Sequence, residues 1–129
     1  MNQQSVAVLG RILLAVLFLF SGFGKIMAPE GTQAYIAAAG LPFPLLGYIA
    51  AIVVELGGGI LLVLGYRTRL VAWIMAAFTM AAAVCFHSHF ADQNQLIHFL
   101  KNISIAGGLL QVAAFGAGNL SIDARAKRA

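Results

Sequence analysis

The sequence predicts an all-α membrane protein, an antiparallel four-transmembrane-helix bundle formed by a single domain over residues 1–129. Of its residues, 61% are hydrophobic and only 9% are charged, a composition far more apolar than that of soluble domains. Four apolar stretches each approach the roughly 20 residues that a helix needs to cross a bilayer. A soluble domain of this size has too little interior to bury so much apolar surface. We therefore expect lipid to solvate much of the chain.

The predicted spans follow one another along the chain with short connections. They cover approximately residues 6–27, 45–65, 70–90 and 97–117. Glycines and prolines punctuate residues 28–44, and the helix-like stretch between them predicts a short surface helix between spans one and two. The connections at 65–69 and 91–95 are so short that successive spans must run antiparallel.

The distribution of basic residues predicts the orientation of the bundle. Arg67 and Arg69 lie in the second connection, and Arg125, Lys127 and Arg128 lie in the C-terminal tail. The other two connections contain no lysine or arginine. By the positive-inside rule, both termini face the cytoplasm.

Charge and cysteine content exclude several classes of function. The net charge is +4, but the basic residues form no stripe interleaved with aromatic residues, so nucleic acid is not an expected partner. A single cysteine, Cys85, cannot form an intramolecular disulfide, a C-x-x-C redox pair or a cysteine-rich metal site. Any redox chemistry must therefore use another group or a bound cofactor.

Polar side chains inside the spans are the candidates for a functional site. A charged side chain there costs on the order of 3 kcal/mol on insertion scales, so such residues usually face the bundle interior and find partners. The candidates are Arg11, Lys25, Glu55, His87, Lys101 and Asn102. Arg11 lies toward the cytoplasmic end, where it has either a structural role or a role in binding lipid headgroups.

The other five candidates fall between the middle of the bundle and its outer surface, and we predict that they form one connected site. Glu55 lies at the middle of span two, where an ionised carboxylate requires a cation. Lys25 or Lys101 can supply it. The cluster is a candidate for ligand binding or proton handling, with Glu55 and His87 exchanging protons. The alternative is a buried ion pair that only fixes helix register.

Three histidines, His87, His89 and His98, are predicted near the same membrane face. Residues at i and i+2 point away from each other on a helix, and no carboxylate stands at ligand spacing. This spacing disfavours a metal or haem site, and we expect neither in the purified protein.

Several motifs give the chain a specific resemblance. They are Phe20-Ser-Gly-Phe-Gly-Lys25 following Arg11, Gly31-Thr-Gln with Gly40-Leu-Pro42, Glu55-Leu-Gly-Gly-Gly59, Gly65-Tyr-Arg-Thr-Arg69, Phe86-His-Ser-His-Phe90 and Lys101-Asn-Ile-Ser-Ile-Ala-Gly-Gly108. In their order and spacing across four apolar spans, these motifs resemble the DoxX-like membrane proteins, and most closely the YqjF-type branch of bacterial inner-membrane proteins. The resemblance covers nearly the whole chain.

The resemblance implies a location in the bacterial cytoplasmic (inner) membrane and a link to redox chemistry, since some relatives take part in electron transfer to quinones or in membrane oxidoreductase complexes. It favours a redox-associated or quinone-linked membrane subunit whose polar site holds a quinone headgroup or a small anion. The chain contains no obvious electron carrier, so we expect at most a subunit of an oxidoreductase system, and no catalytic residue is assigned.

Two alternatives remain open at this point. One is a non-enzymatic accessory or scaffold protein, and the other is a small-solute binding or transport protein. Besides the lipid bilayer, a second copy of the chain or a membrane redox protein are the candidate partners.

Overall fold

The computed structural model describes all 129 residues and contains helices and turns but no strand. This confirms the predicted all-α fold class. The helices are α1 (Gln3–Met27), α2 (Pro29–Ala38), α3 (Pro44–Ile52), α4 (Gly58–Leu64), α5 (Thr68–Phe86), α6 (Gln93–Phe115) and α7 (Ile122–Arg128). One turn of π-helix, Val53–Gly57, joins α3 to α4 and is called the π turn below.

Four helical segments are long and apolar enough to cross a membrane: Gln3–Met27, Pro44–Leu64, Thr68–Phe86 and Gln93–Phe115. The third ends four residues before the predicted boundary, because His87 leaves the helical conformation at φ −130° and ψ 37°. The fourth begins earlier than predicted because the Asp92 side chain accepts a hydrogen bond from the Asn94 amide and caps the helix. The short helix between spans one and two is α2.

A narrow core of small and medium-sized side chains holds the bundle together. On α1 the buried residues Arg11, Ala15, Phe18 and Gly22 recur at helical spacing and form one stripe. Most other large apolar side chains, such as Phe20, face outward. An outward apolar surface of this extent is what a helical bundle solvated by lipid presents.

Glycines allow α1 to pack closely against the second span. A Cβ atom added to Gly22 would lie 2.7 Å from Leu56 Cγ, and one added to Gly59 would lie 2.8 Å from Leu19 Cδ2. Small residues commonly permit such close approach between membrane helices. The contact brings the π turn, and with it Glu55, against α1.

The C-terminal segment is tied to the turn between α4 and α5. The Asp123 carboxylate accepts hydrogen bonds from the backbone amides of Arg67, at 2.7 Å, and Thr68, at 2.9 Å. It therefore caps α5 from the opposite end of the chain. Partial burial on its own raises the pKa of Asp123, but the hydrogen bonds from Thr68 and Arg67 outweigh it and hold that pKa below its usual range.

Candidate functional site

The centre of the candidate site is an ion pair between α1 and the π turn. Lys25 Nζ lies 3.0 Å from Glu55 Oε2 and donates hydrogen bonds to Glu55 Oε1 at 3.1 Å and Ser21 Oγ at 2.8 Å. Glu55 is 6% exposed. Of the two lysines considered from the sequence, Lys25 is therefore the partner of Glu55.

Local backbone structure fixes both members of the pair. Lys25 lies in the last turn of α1, where a cation interacts favourably with the helix dipole, and its carbonyl accepts a hydrogen bond of 3.0 Å from the Tyr48 hydroxyl. Glu55 lies in the π turn. Such turns occur frequently at functional sites, because the wider turn re-aims the side chains around it.

A cavity of about 780 Å³ adjoins this ion pair. Its walls come from α1, α2, α3, the π turn, α5 and α6 and are mainly apolar. The polar residues of the wall are Ser21, Lys25, Thr32, Glu55, Thr79, His87, His98 and Asn102. The structure thus brings four of the five residues predicted to cluster, Lys25, Glu55, His87 and Asn102, to a single cavity. Its volume lies in the range typical of small-molecule sites.

The far wall of the cavity, built by α5 and α6, carries two histidines and an asparagine. The rings of His87 and His98 stack with centroids 5.0 Å apart. His87 Nδ1 is buried and has no hydrogen-bond partner. Asn102 Nδ2 donates to the Thr79 carbonyl over 3.4 Å, a long and weak bond. These polar groups remain available to a ligand.

The second aromatic contact at the cavity joins α2 to α5. The rings of Tyr35 and Phe86 stack with centroids 5.2 Å apart, and both residues line the cavity. Helix α2 therefore forms part of the cavity wall and closes the space between α1 and α5.

Lys101 lies outside this cavity. It is exposed and borders a separate groove of about 390 Å³ together with Ile97, Leu100, Ser104 and Ile105. Successive residues on an α-helix point about 100° apart, so Asn102 can face the bundle only if Lys101 turns away from it. The sequence names both residues as interior candidates, and the structure brings only Asn102 to the others.

Arg11 has a structural position within the bundle. It is 2% exposed, and its guanidinium donates hydrogen bonds to the carbonyls of Leu62 at 2.8 Å, Val63 at 3.0 Å and Leu120 at 2.7 Å. Two of these carbonyls belong to the last turn of α4, where a cation is favoured. The side chain thus joins α1, α4 and the C-terminal segment instead of reaching lipid headgroups.

Other residues of the cavity were not among the predicted site residues. Ser21 stands four residues before Lys25, a spacing that does place the two side chains on one helix face. The sequence places His98 near the membrane face of His87 but not at the site, and it gives no signal for Thr79, because both positions depend on how α5 packs against α6. No three side chains of His, Cys, Asp or Glu converge in a way that could hold a metal ion.

Comparison with known proteins identifies the family of this chain. A family model described as DoxX matches residues 6–88. The chain belongs to the DoxX family. Its match to the model includes Lys25, Glu55 and His87 and ends before Asn102.

Two relatives of this DoxX protein come from Escherichia coli (strain K12). "Inner membrane protein YqjF" is 42% identical over 121 residues, which cover 93% of this chain and 92% of the relative. "Inner membrane protein YphA" is 39% identical over 123 residues, which cover 91% of this chain and 87% of the relative. A Bacillus subtilis (strain 168) protein described as "Putative oxidoreductase CatD" is 35% identical over 74 residues, which cover 57% of this chain and 53% of the relative. No solved structure matches. Family and fold together make the chain an integral membrane protein.

Proposed function

We propose that this DoxX protein is a redox-associated subunit of the bacterial inner membrane that binds the polar head of a quinone-type molecule in the 780 Å³ cavity. The observation that carries the proposal is the placement of the Lys25–Glu55 ion pair, the Asn102 amide and the unpartnered His87 Nδ1 around one apolar space. The oxidoreductase description of the Bacillus subtilis relative supports the redox assignment.

The chemistry of the wall suits a ring that carries oxygen atoms on opposite sides. An ammonium group has three donors, and Lys25 uses two of them on Glu55 and Ser21, which leaves one for a ligand oxygen. His87, which directly follows α5, and Asn102, in α6, line the same cavity from other elements than Lys25. The apolar remainder of the wall would accommodate the ring and its hydrocarbon tail.

A bound quinone would supply the electron-accepting chemistry that the side chains of this chain lack. Lys25 and His87, which line the cavity, would bind and orient it by hydrogen bonds to its oxygen atoms. Glu55, whose carboxylate pairs with Lys25, would hold that ammonium group in position. Electrons would come from a partner protein, so the chain acts as the membrane-embedded ligand-binding subunit.

Quinone binding tests this proposal directly. Protein purified in mild detergent is titrated with decylubiquinone, and bound quinone is counted by equilibrium dialysis. We expect saturable binding that His87→Phe weakens about tenfold, the loss expected for a hydrogen bond to a ligand. His89→Phe is the matched control, because His89 is exposed and does not line the cavity.

Two results would contradict the proposal. One is the absence of saturable binding to the unmodified protein, and the other is an equal loss in the His87 and His89 variants. Saturable binding of a small inorganic anion without any binding of quinone would favour the solute-binding alternative instead.

A further inference from the structure

Helix α6 differs from the other spans in how its polar residues are distributed. It is the least hydrophobic of the four spans and also the least buried within the chain. Its outward face, called the α6 outward face below, contains Ile97, Leu100, Lys101, Ser104 and Gly107, all of them exposed. A lipid-facing surface favours apolar side chains, so a cation there calls for a partner.

Lys101 lies well inside α6. It stands eight positions after Gln93, the first residue of the helix, or about 12 Å along the axis, which exceeds the length of a lysine side chain. It also lies near Asn102 and Thr79, which meet inside the bundle at the same level. A lysine that extends its side chain along α6 from this position therefore falls short of the start of the helix.

No acidic residue of the chain compensates Lys101. Glu30 lies in the first turn of α2, and Glu55 is paired with Lys25. Asp92 caps the start of α6, and Asp123 caps α5. Lys101 itself makes neither a hydrogen bond nor an ion pair with another side chain.

The surface around Lys101 permits close approach by another helix. Gly107 has no heavy atom within 4 Å of where a Cβ would stand, and Ser104 is small and exposed. The groove of about 390 Å³ lies beside the lysine. Small residues and hydroxyl groups are typical of contacts between membrane helices.

We infer that the α6 outward face is a docking surface for a transmembrane helix of another membrane protein, one that carries a carboxylate at the level of Lys101. Charge complementarity decides between the occupants of this face. A second copy docking symmetrically would place two lysines at the same depth, where like charges repel. Lipid tails offer no anion at that depth. An acidic helix compensates the lysine, and its own carboxylate gains the cation that it requires.

The test uses synthetic transmembrane peptides with a leucine–alanine core and either Glu or Leu at the central position. Protein labelled with a donor dye at its C-terminus is reconstituted with acceptor-labelled peptide in phosphatidylcholine vesicles, and association is measured by energy transfer. We expect the Glu peptide to associate at least tenfold more strongly than the Leu peptide. Lys101→Leu should remove that preference, and Lys101→Glu should transfer it to a peptide with a central Lys.

Matched controls keep the result specific. Lys127→Gln, in α7, should leave the preference for the Glu peptide unchanged, and the Lys101 variants should keep the thermal unfolding midpoint of the unmodified protein. Quinone binding at the cavity is a separate readout, which Lys101→Leu should not alter, so this inference and the proposed function fail independently.

Several results would overturn the inference. Equal association of the Glu and Leu peptides would remove the basis for an acidic partner, and a preference that survives Lys101→Leu would place the contact elsewhere. Loss of the preference on adding 20% phosphatidylglycerol would assign Lys101 to lipid phosphate. Self-association without peptide that Lys101→Leu abolishes would assign the face to a second copy.

Discussion

At the residue scale, the Lys25–Glu55 pair joins two spans through charges that lipid cannot solvate. Its two members differ in exposure, with 27% of the Lys25 side chain exposed and 8% of the Glu55 side chain. The lysine also has Ser21 as a second partner. Removing the lysine therefore isolates a buried charge, whereas removing the glutamate leaves a cation that retains a polar neighbour.

This asymmetry predicts unequal effects of the single substitutions on stability. Lys25→Met should lower the free energy of unfolding by about 3 kcal/mol, because an uncompensated carboxylate stays buried. Glu55→Leu should cost less, and the double variant Lys25→Met/Glu55→Leu should recover most of the loss. Unfolding by sodium dodecyl sulfate in mixed micelles measures all three, with Glu30→Gln in exposed α2 as the control. A double variant less stable than Lys25→Met would contradict the prediction.

The sequence predicts this pair because a carboxylate in the middle of a span requires a cation, whatever the details of packing. It does not tell Lys25 from Lys101 as that cation. The choice depends on the rotation of α6 about its own axis, since adjacent residues such as Lys101 and Asn102 cannot both face the bundle. The sequence places His98 near the same membrane face as His87, but it does not predict that the two rings stack, because the stacking follows from the packing of two helices.

At the element scale, the π turn and the glycines opposite it determine where the site forms. The contacts at Gly22 and Gly59 are of the close kind that glycines permit between membrane helices. The sequence does not indicate the π turn. A π turn has no characteristic sequence pattern, because the widening of the helix depends on how the second span fits against α1.

Two glycines of α1 give a matched test of this packing. A Cβ on Gly22 would meet Leu56 Cγ at 2.7 Å and Glu55 Cβ at 3.1 Å, whereas a Cβ on Gly24 would meet nothing within 4 Å. Gly22→Ala should therefore destabilise the protein by about 1–3 kcal/mol through overpacking. Gly24→Ala should be neutral or stabilising by up to about 1 kcal/mol, since alanine favours the helix.

The same substitutions should differ in their effect on the site. Gly22→Ala displaces the backbone that bears Glu55 and should weaken quinone binding, while Gly24→Ala should not. Thermal unfolding in detergent and the dialysis titration measure the two effects. If both variants unfold at the same temperature, α1 and the π turn are not packed as closely as the structure indicates.

At the scale of the whole molecule, polar chemistry is divided between the two ends of the bundle. The C-terminal segment and the α4–α5 turn meet at one end through Asp123. The polar cavity lies toward the other end, where α2 and the start of α6 are found. Four spans and short connections could be predicted from apolar length alone. The cavity could not, because it depends on how α1, α2, α3, the π turn, α5 and α6 pack around it.

The final prediction concerns which end faces the cytoplasm. Arg67 and Arg69 adjoin the turn that Asp123 caps, and the tail residues Arg125, Lys127 and Arg128 follow on the same side. Because cytoplasmic ends are enriched in lysine and arginine, this end should be cytoplasmic. Alkaline phosphatase fused after Arg128 should then be inactive, and the same enzyme inserted at Asp92 should be active. A green fluorescent protein fusion at each position should give the reverse pattern.

This orientation also decides how a ligand would reach the cavity. With both termini in the cytoplasm, α2 and the α5–α6 turn face the periplasm, and the cavity opens within the outer leaflet.

Reversing the charge of the α4–α5 turn, with Arg67→Glu and Arg69→Glu, should increase the share of molecules in which the fusion after Arg128 is exported. Activity of both alkaline phosphatase fusions in the unmodified chain would place Asp92 and Arg128 on the same side of the membrane. That result would rule out the single crossing by α6 between them, and with it the four-span topology on which the placement of the site depends.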